Sequence, residues 1–334
     1  MNIVVLAGGL SMERDVSLAS GSLIANALNS QGNNAVLVDL YFGIKKDEMT
    51  FEGEHKQYMH AISEVAPDLE EIKKQNGGRE CPVGENVIEF CKMADATFLA
   101  LHGGVGENGK LQALLEMNGI RFTGSSSVGC MLSMDKIISK QLLCAENLPT
   151  AEWMTNKDDI EKLEKIVPCF VKPADNGSSV GVTKVTDKNQ LWGAIAEAEK
   201  YSDKVLVEKQ VVGREFSVGI LDGKALPPIE IIAGGEFYNY KTKYQAGLAR
   251  EVCPAELDEN KTLKIGEYAE KIHNILRLGS YSRIDFIMDS TGEFYFLEAN
   301  ALPGMTPTSL LPQEARAVGI SYKDLCMKIV ELSK

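Results

Sequence analysis

One stretch, residues 281–300, constrains this chain more than any other. It reads Tyr-Ser-Arg-Ile-Asp-Phe-Ile-Met-Asp-Ser, then Thr-Gly, then Glu-Phe-Tyr-Phe-Leu-Glu-Ala-Asn. Two strand-like arms flank Thr291-Gly292, which can serve as a two-residue loop. With Ser290 facing Glu293, partner indices sum to a constant, so Asp285 faces Glu298 and Arg283 faces Asn300. Side chains alternate along a strand, which puts these four on one face. Ile284, Phe286 and Leu297 then point to the other face, into a core. Two carboxylates directly opposite each other destabilise a sheet. A shared proton, a nearby Arg or Lys, or a bound cation must offset the repulsion. Oxygen-only donors that include Asn300 suit a hard ion such as Mg²⁺, which joins one or two carboxylates to substrate phosphates. A salt-bridge ladder with Arg283 is the alternative.

The rest of the chain is α/β. Ile3 to Leu6 form a strand that meets Gly8-Gly9, followed by a helix over Asp15 to Ser30 and a strand over Ala35 to Leu40. A third strand, Ala96 to Leu101, runs into the glycine-rich loop His102 to Gly109 and another helix. Such alternation predicts a parallel sheet. Between Tyr41 and Lys92 the pattern breaks down into a polar insertion with a helix or two. A second unit follows Gly124, with a helix over Asp135 to Glu146 and a strand over Cys169 to Lys172. A third carries strands at Val205 to Glu208, Glu215 to Leu221 and Arg283 to Met288, a hairpin turn at Asp222-Gly223, and helices over Asp258 to Leu276 and Tyr322 to Leu332. The domains expected are 1–124, 125–206 and 207–334.

Lys172 ends an apolar strand, and the run Asn176-Gly-Ser-Ser-Val-Gly181 follows. Such a loop can offer backbone N–H groups and hydroxyls to phosphate while the lysine supplies charge. Alone it reads more readily as a solvated turn; no G-x-x-x-x-G-K-[ST] motif occurs. Lys136, Lys209 and Lys243 stand at other element edges. Lysines for phosphates plus paired carboxylates for Mg²⁺ are what nucleoside triphosphate chemistry requires. Gly104-Val-Gly106-Glu-Asn-Gly109 matches G-x-G-x-x-G literally, but no acidic residue ends a strand about 20 positions later, as a dinucleotide site would want.

Composition narrows the setting. The formal net charge of -12 argues against nucleic acid or an anionic membrane as main partner. Seven scattered cysteines suit reduced thiols in a cytoplasmic protein, and four dispersed histidines offer no zinc site. No signal peptide is visible, and no apolar run approaches the roughly 18 residues of a membrane span.

Taken together, these segments resemble the D-alanine–D-alanine ligases, an ATP-grasp family. The resemblance rests on Gly8-Gly9-Leu-Ser-Met-Glu13-Arg14-Asp-Val-Ser17, Leu101-His102-Gly-Gly, Ser133-Met-Asp-Lys136 and Val171-Lys172-Pro to Gly181. It continues through Val207-Glu208-Lys209, Gly213-Arg-Glu215-Phe, Lys243-Tyr244, Arg283-Ile-Asp285, Leu297-Glu298-Ala-Asn300 and Pro303-Gly304-Met305-Thr306. It covers nearly the whole chain outside residues 41–92. It implies a three-domain ATP-grasp fold with an N-terminal parallel-sheet domain, and ATP held between the other two domains.

The resemblance also implies roles. Lys136 and Lys172 contact ATP phosphates, with Ser179 in the adjoining loop. Glu208 reads the adenine amino group, Lys209 and Val211 line the base with Phe237 and Leu297, and Glu215 holds the ribose. Asp285, Glu298 and Asn300 carry a pair of Mg²⁺ ions, for which Mn²⁺ substitutes. Glu13 binds the ammonium of the first D-alanine, with His102 nearby; Ser309 and Leu310 hold the carboxylate of the second. Arg283 and the N–H of Gly304 stabilise the oxyanion. Lys243 and Tyr244 belong to a loop over about 234–248 that closes on the site, Tyr244 being linked to Ser178 and Glu13. A homodimer is implied. Relatives that join D-alanine to D-lactate or D-serine differ in that loop, and here Tyr240-Lys-Thr-Lys243-Tyr244 resembles the D-alanine type. Without the family, Glu13 reads as an acid at a helix start, His102 as a loop histidine, and Ser309 as the N-cap of a helix running to Ala317.

Overall fold

The computed structural model describes residues 1–53, 56–63, 65, 67–177, 180–233 and 249–333. The first sheet is parallel, in order β2-β1-β3, from β1 (Asn2–Ala7), β2 (Asn34–Asp39) and β3 (Ala96–Leu99). Helix α1 (Arg14–Asn29) joins the first two strands. Ile3, Val4, Val5 and Leu6 are fully buried, as a central parallel strand covered on both faces requires. The insertion holds two short helices, α2 (Leu69–Gln75) and α3 (Val87–Met93); α4 (Lys110–Met117) follows the glycine-rich loop.

The second sheet is antiparallel, in order β4-β7-β5-β6. It is preceded by helices α5 (Ser127–Met134) and α6 (Lys136–Ala145). Its strands are β4 (Trp153–Thr155), β5 (Cys169–Pro173), β6 (Thr183–Val185) and β7 (Val205–Lys209), with helices α7 (Ile160–Leu163) and α8 (Leu191–Ala198) between them. Asp135 caps α6: one oxygen accepts from the backbone N–H groups of Ile137 and Ile138, and the other meets Lys204 at 2.6 Å. This pins the first turn of α6, which matters for Lys136.

The third sheet, also antiparallel, runs β11-β10-β8-β12-β13, with β9 on β8. These are β8 (Gly213–Leu221), β9 (Lys224–Ala225), β10 (Ile229–Ala233), β11 (Ala249–Val252), β12 (Tyr281–Asp289) and β13 (Phe294–Asn300). Asp222 (φ 55°) and Gly223 (φ 72°) make the expected turn between β8 and β9. Helix α9 (Glu259–Ile275) covers one face; α10 (Leu310–Ala317) and α11 (Tyr322–Glu331) end the chain. Leu325, Cys326, Ile329 and Val330 of α11 share the core of the first sheet.

The hairpin of β12 and β13 pairs as expected at its functional end: Arg283 with Asn300, Asp285 with Glu298. The turn differs. Asp289, not Ser290, closes it, its N–H donating to Glu293 O at 3.0 Å. The loop is therefore three residues, Ser290-Thr291-Gly292, with Gly292 at φ 86°. A bulge then shifts the register, so Asp285 faces Glu298 while Phe286 faces Phe296. Turn and bulge each displace the pairing by one residue, in opposite senses. The bulged residue is Leu297. It is only half-buried and lines the cavity described below, so its expected place in the core is corrected.

Among the described residues no helix is long and apolar enough to cross a membrane. All seven cysteines are unpaired.

Candidate active site

A cavity of about 760 Å³ opens between the two antiparallel sheets and is closed at one end by loops of the first unit. Of the residues expected at a site, Glu13, His102, Lys136, Lys172, Glu208, Lys209, Val211, Glu215, Arg283, Asp285, Leu297, Glu298, Asn300, Gly304, Ser309 and Leu310 all line it. Ser178, Ser179, Phe237, Lys243 and Tyr244 lie outside the described residues.

The hairpin makes one wall. Asp285 is 6% exposed and fully engaged. Arg283 grips it through Nε (2.9 Å) and Nη2 (2.8 Å), Ser217 of β8 donates to it at 2.8 Å, and the Asn300 amide donates at 3.1 Å. Burial works against the charge on Arg283, but Asp285, with Glu298 adding to it, outweighs burial and holds the guanidinium firmly protonated. Glu298 lies 3.5 Å from the ammonium of Lys136. Gly219, opposite Arg283 on β8, leaves room for a carboxyl: a Cβ there would come within 2.3 Å of Glu314 Oε2. Glu314, on α10, is fully buried, and that burial raises its carboxyl well above the ordinary range.

The facing wall is basic. Lys136, at the capped start of α6, donates to Asn176 O at 2.9 Å, which holds it at the edge of the Gly/Ser loop. Lys172, in β5, donates to Glu208 Oε2 on β7 at 2.5 Å. Lys140, one turn after Lys136, sits on the other oxygen, Oε1. Burial would raise the Glu208 carboxyl, but the two lysines outweigh it and hold it below the usual range. Burial in turn pulls the ammonium of Lys140 down, against the carboxylate.

The closed end carries Glu13 and His102. Glu13 stands at the N-cap position of α1, but its side chain does not cap the helix. Its Oε2 lies where a Cβ on Gly103 would approach to 3.1 Å, so that glycine (φ 69°) makes room for the carboxylate. Ser11 ties the two segments, donating to His102 O at 2.6 Å and accepting from Glu13 N at 3.0 Å. His102 is buried with its Nδ1 3.8 Å from Glu107 Oε1, and its Nε2 has no hydrogen-bond partner among the described residues. Burial raises the Glu107 carboxyl; His102 opposes the shift and Glu13 adds to it.

Ser309 does occupy the N-cap position of α10, yet it makes no capping hydrogen bond. Its Oγ accepts from Thr306 N at 3.1 Å and shares a hydrogen bond with Thr306 Oγ1 at 2.8 Å, so the cap reading is corrected. A Cβ on Gly304 would meet that Oγ at 2.9 Å, so Gly304 and Ser309 form one tight corner of the cavity.

Sequence reasoning missed Lys140, Ser217, Glu107 and Glu314. Lys140 had a signal: it lies four residues after Lys136, on the same helical face. Ser217 shares its strand face with Glu215, two residues earlier. Glu107 and Glu314 are delivered by tertiary packing and carry no local mark.

The donors fit Mg²⁺. Among the described residues no group of three or more His, Cys, Asp or Glu converges. Two carboxylates and an amide oxygen on one hairpin face, beside lysines suited to phosphate, match an ion that shares its coordination with substrate.

Comparison with known proteins identifies the family. A family model described as D-ala D-ala ligase N-terminus matches residues 2–125, and one described as D-ala D-ala ligase C-terminus matches residues 144–331. A D-alanine–D-alanine ligase of Pediococcus pentosaceus is 42% identical, covering 99% of this chain and 97% of that protein. The Lacticaseibacillus casei protein of the same name is 39% identical over 99% of this chain and 95% of its own length. A crystal structure of the Bacillus anthracis D-alanine–D-alanine ligase complexed with ATP is 30% identical, with a TM-score of 0.77 over 99% of this chain and 96% of that one. With both halves matched and full-length relatives well above 30% identity, the chain belongs to the D-alanine–D-alanine ligase family and has its ATP-grasp fold.

Proposed function

We propose that this protein joins two D-alanines into D-alanyl-D-alanine at the expense of ATP, through an acyl phosphate, for peptidoglycan precursor synthesis. The observation that carries this reading is the opposition of two walls across one cavity. Asp285, Glu298, Asn300 and Arg283 stand on one side, Lys136 and Lys172 on the other.

In this reading ATP lies between the antiparallel sheets. Glu208 accepts from the adenine amino group, Lys209, Val211 and Leu297 border the base, and Glu215 takes the ribose. Lys136 and Lys172 hold the phosphates. Asp285, Glu298 and Asn300 would hold Mg²⁺, or Mn²⁺ in its place, which supplies charge neutralisation at the phosphates. Glu13 binds the ammonium of the first D-alanine beside His102. The carboxylate oxygen of that D-alanine attacks the γ-phosphorus, the bond to the bridging oxygen breaks, and ADP leaves. The amine of the second D-alanine, whose carboxylate rests at Ser309 and Leu310, attacks the acyl carbon, loses a proton and expels phosphate. Arg283 and the N–H of Gly304 meet the tetrahedral oxyanion. Acyl phosphates hydrolyse readily, so water exclusion matters. The roles of Ser178, Ser179, Phe237, Lys243 and Tyr244 rest on the family resemblance. The same resemblance supports a homodimer, and seven unpaired cysteines are consistent with a reducing cytoplasm.

The test is ADP release with Mg²⁺ and D-alanine, L-alanine, or D-alanine paired with D-serine or D-lactate, with products identified by mass. D-alanine-dependent turnover yielding the dipeptide is expected. A depsipeptide or mixed dipeptide as main product would move the acceptor reading. No turnover with any of them would overturn the proposal.

A further inference from the structure

Lys140 is a fully buried lysine behind the cavity wall, with no exposed surface. Its ammonium has two partners, Glu208 Oε1 and Thr150 Oγ1. A buried ion pair is weak evidence of stabilisation, because desolvating both charges consumes most of the Coulomb gain, and well-packed apolar residues often do as well. Stability alone therefore gives a poor reason for a lysine here.

The two lysines on Glu208 differ in what else they can do. Lys172 lines the cavity, its side chain is 13% exposed, and the Gly/Ser loop follows it along the chain. Lys140 does not line the cavity. It comes from inside, from the same face of α6 that presents Lys136 one turn earlier. A polyphosphate entering the cavity would compete with Glu208 for Lys172 and has no access to Lys140. Glu208, 3% exposed, would then depend on Lys140 alone to stay ionised and in place.

We propose that Lys140 is a positioning residue for nucleotide selection: it fixes the Glu208 carboxylate as an acceptor aimed at the exocyclic amino group of a 6-aminopurine while Lys172 turns to the phosphates. This rests on the reading of the cavity as an ATP site. The selectivity follows from donor and acceptor matching. A 6-aminopurine offers two N–H donors to the carboxylate. A 6-oxopurine places a carbonyl oxygen at that position, and an acceptor facing the carboxylate in a dry site is repelled and left without a donor. A site built to hydrogen-bond one group rejects an analogue that lacks it. Without Lys140, a buried Glu208 would either draw Lys172 back from the phosphates or take up a proton. Each outcome weakens ATP binding, and the second blunts the distinction between amino and oxo groups.

The experiment compares wild type with Lys140→Met, measuring kcat and KM for ATP and for ITP with saturating D-alanine and Mg²⁺. The expected result is an ATP KM raised about tenfold and an ATP-over-ITP preference in kcat/KM narrowed about tenfold, with a smaller change in kcat. A lysine that only plugs the core would lower the melting temperature and leave both the ATP KM and the preference unchanged in the folded protein; that result overturns the proposal. Should Lys140→Met fail to fold, Thr150→Val tests the same point, since it keeps both charges and removes the second anchor of the ammonium. A preference narrowed severalfold supports the proposal, and an unchanged one overturns it. Titration of wild type with a non-hydrolysable ATP analogue separates the two levels: absence of binding removes the ATP reading and this inference together. Binding with unaltered selectivity in the variants removes only the inference.

Discussion

On the hairpin wall two carboxylates, Asp285 and Glu298, face each other, and Arg283 is bound bidentately to the first. On the opposite wall one carboxylate, Glu208, is gripped by two lysines. Both walls include an antiparallel strand pair, β12 with β13 and β5 with β7, and both are largely buried. They differ in the sign of what is left over. The hairpin carries more negative than positive charge and is suited to receive a cation. The lysine wall carries the reverse and is suited to receive phosphate. The imbalance on each side, rather than the presence of charge, is what marks the cavity as a place where Mg²⁺ and a polyphosphate meet.

The comparison breaks most visibly at Asp285. Asp285→Asn keeps the shape and the Ser217 hydrogen bond but removes the charge that the cation needs. Turnover is expected to fall on the order of 10³-fold, as when a principal electrostatic group is lost from a phosphoryl-transfer site. Stability should fall as well, because the buried Arg283 guanidinium loses its principal counter-charge, which relief of cross-strand repulsion worth roughly 0.2–1 kcal/mol offsets only in part. Single-turnover assays beside chemical denaturation check both halves. A variant that unfolds readily and yet turns over normally when folded would make Asp285 a structural acid.

At Glu208 the effect on stability should dominate. Glu208→Ala leaves the ammonium of Lys140 buried with Thr150 as its remaining partner among the described residues, and breaking a buried pair on one side costs about 3–5 kcal/mol. Urea denaturation is the measurement. A loss under about 1 kcal/mol would mean that water reaches Lys140 freely and that the lysine wall is not sealed from solvent.

Much of the hairpin wall was legible in the sequence, because strand alternation and a glycine-containing turn fix which side chains share a face. The pairing of Asp285 with Glu298 was derived from a turn one residue too short. It survived because the bulge at Leu297 cancels the error at the functional end. A bulge has no sequence signature of its own, so Leu297 was assigned to the core by periodicity although it lines the cavity. The lysine wall was only half legible. Lys172 stood at a strand end before a Gly/Ser run, whereas Lys140 looked like one more polar residue on an amphipathic helix. Its importance comes from Glu208, which reaches it across the sheet. Glu314 was invisible for a similar reason: the vacancy that accepts it is the absent side chain of Gly219, on another element altogether.

The smallest expected effect concerns pH, and here the two walls should titrate in opposite senses. Glu208 has a depressed carboxyl, once burial has been outweighed by Lys140 and Lys172. Its stabilisation is present above the unfolded value of about 4.3 and is lost as pH falls through the lower folded value. Glu314 has a raised carboxyl, because burial opposes its charge; the neighbouring Arg283 pulls the other way without reversing the shift. The native state therefore keeps a proton that the unfolded chain releases above about 4.3. That contribution is full below this value and is lost as pH rises through the folded value. Glu314→Gln, which cannot ionise, should match wild type near pH 4 and become progressively more stable than it as pH rises. Denaturation at a series of pH values checks this. A Glu314→Gln curve parallel to wild type over the whole range would mean that Glu314 is already ionised in the folded protein, and the hairpin wall would then be more acidic than the contacts of Asp285 and Glu298 alone imply.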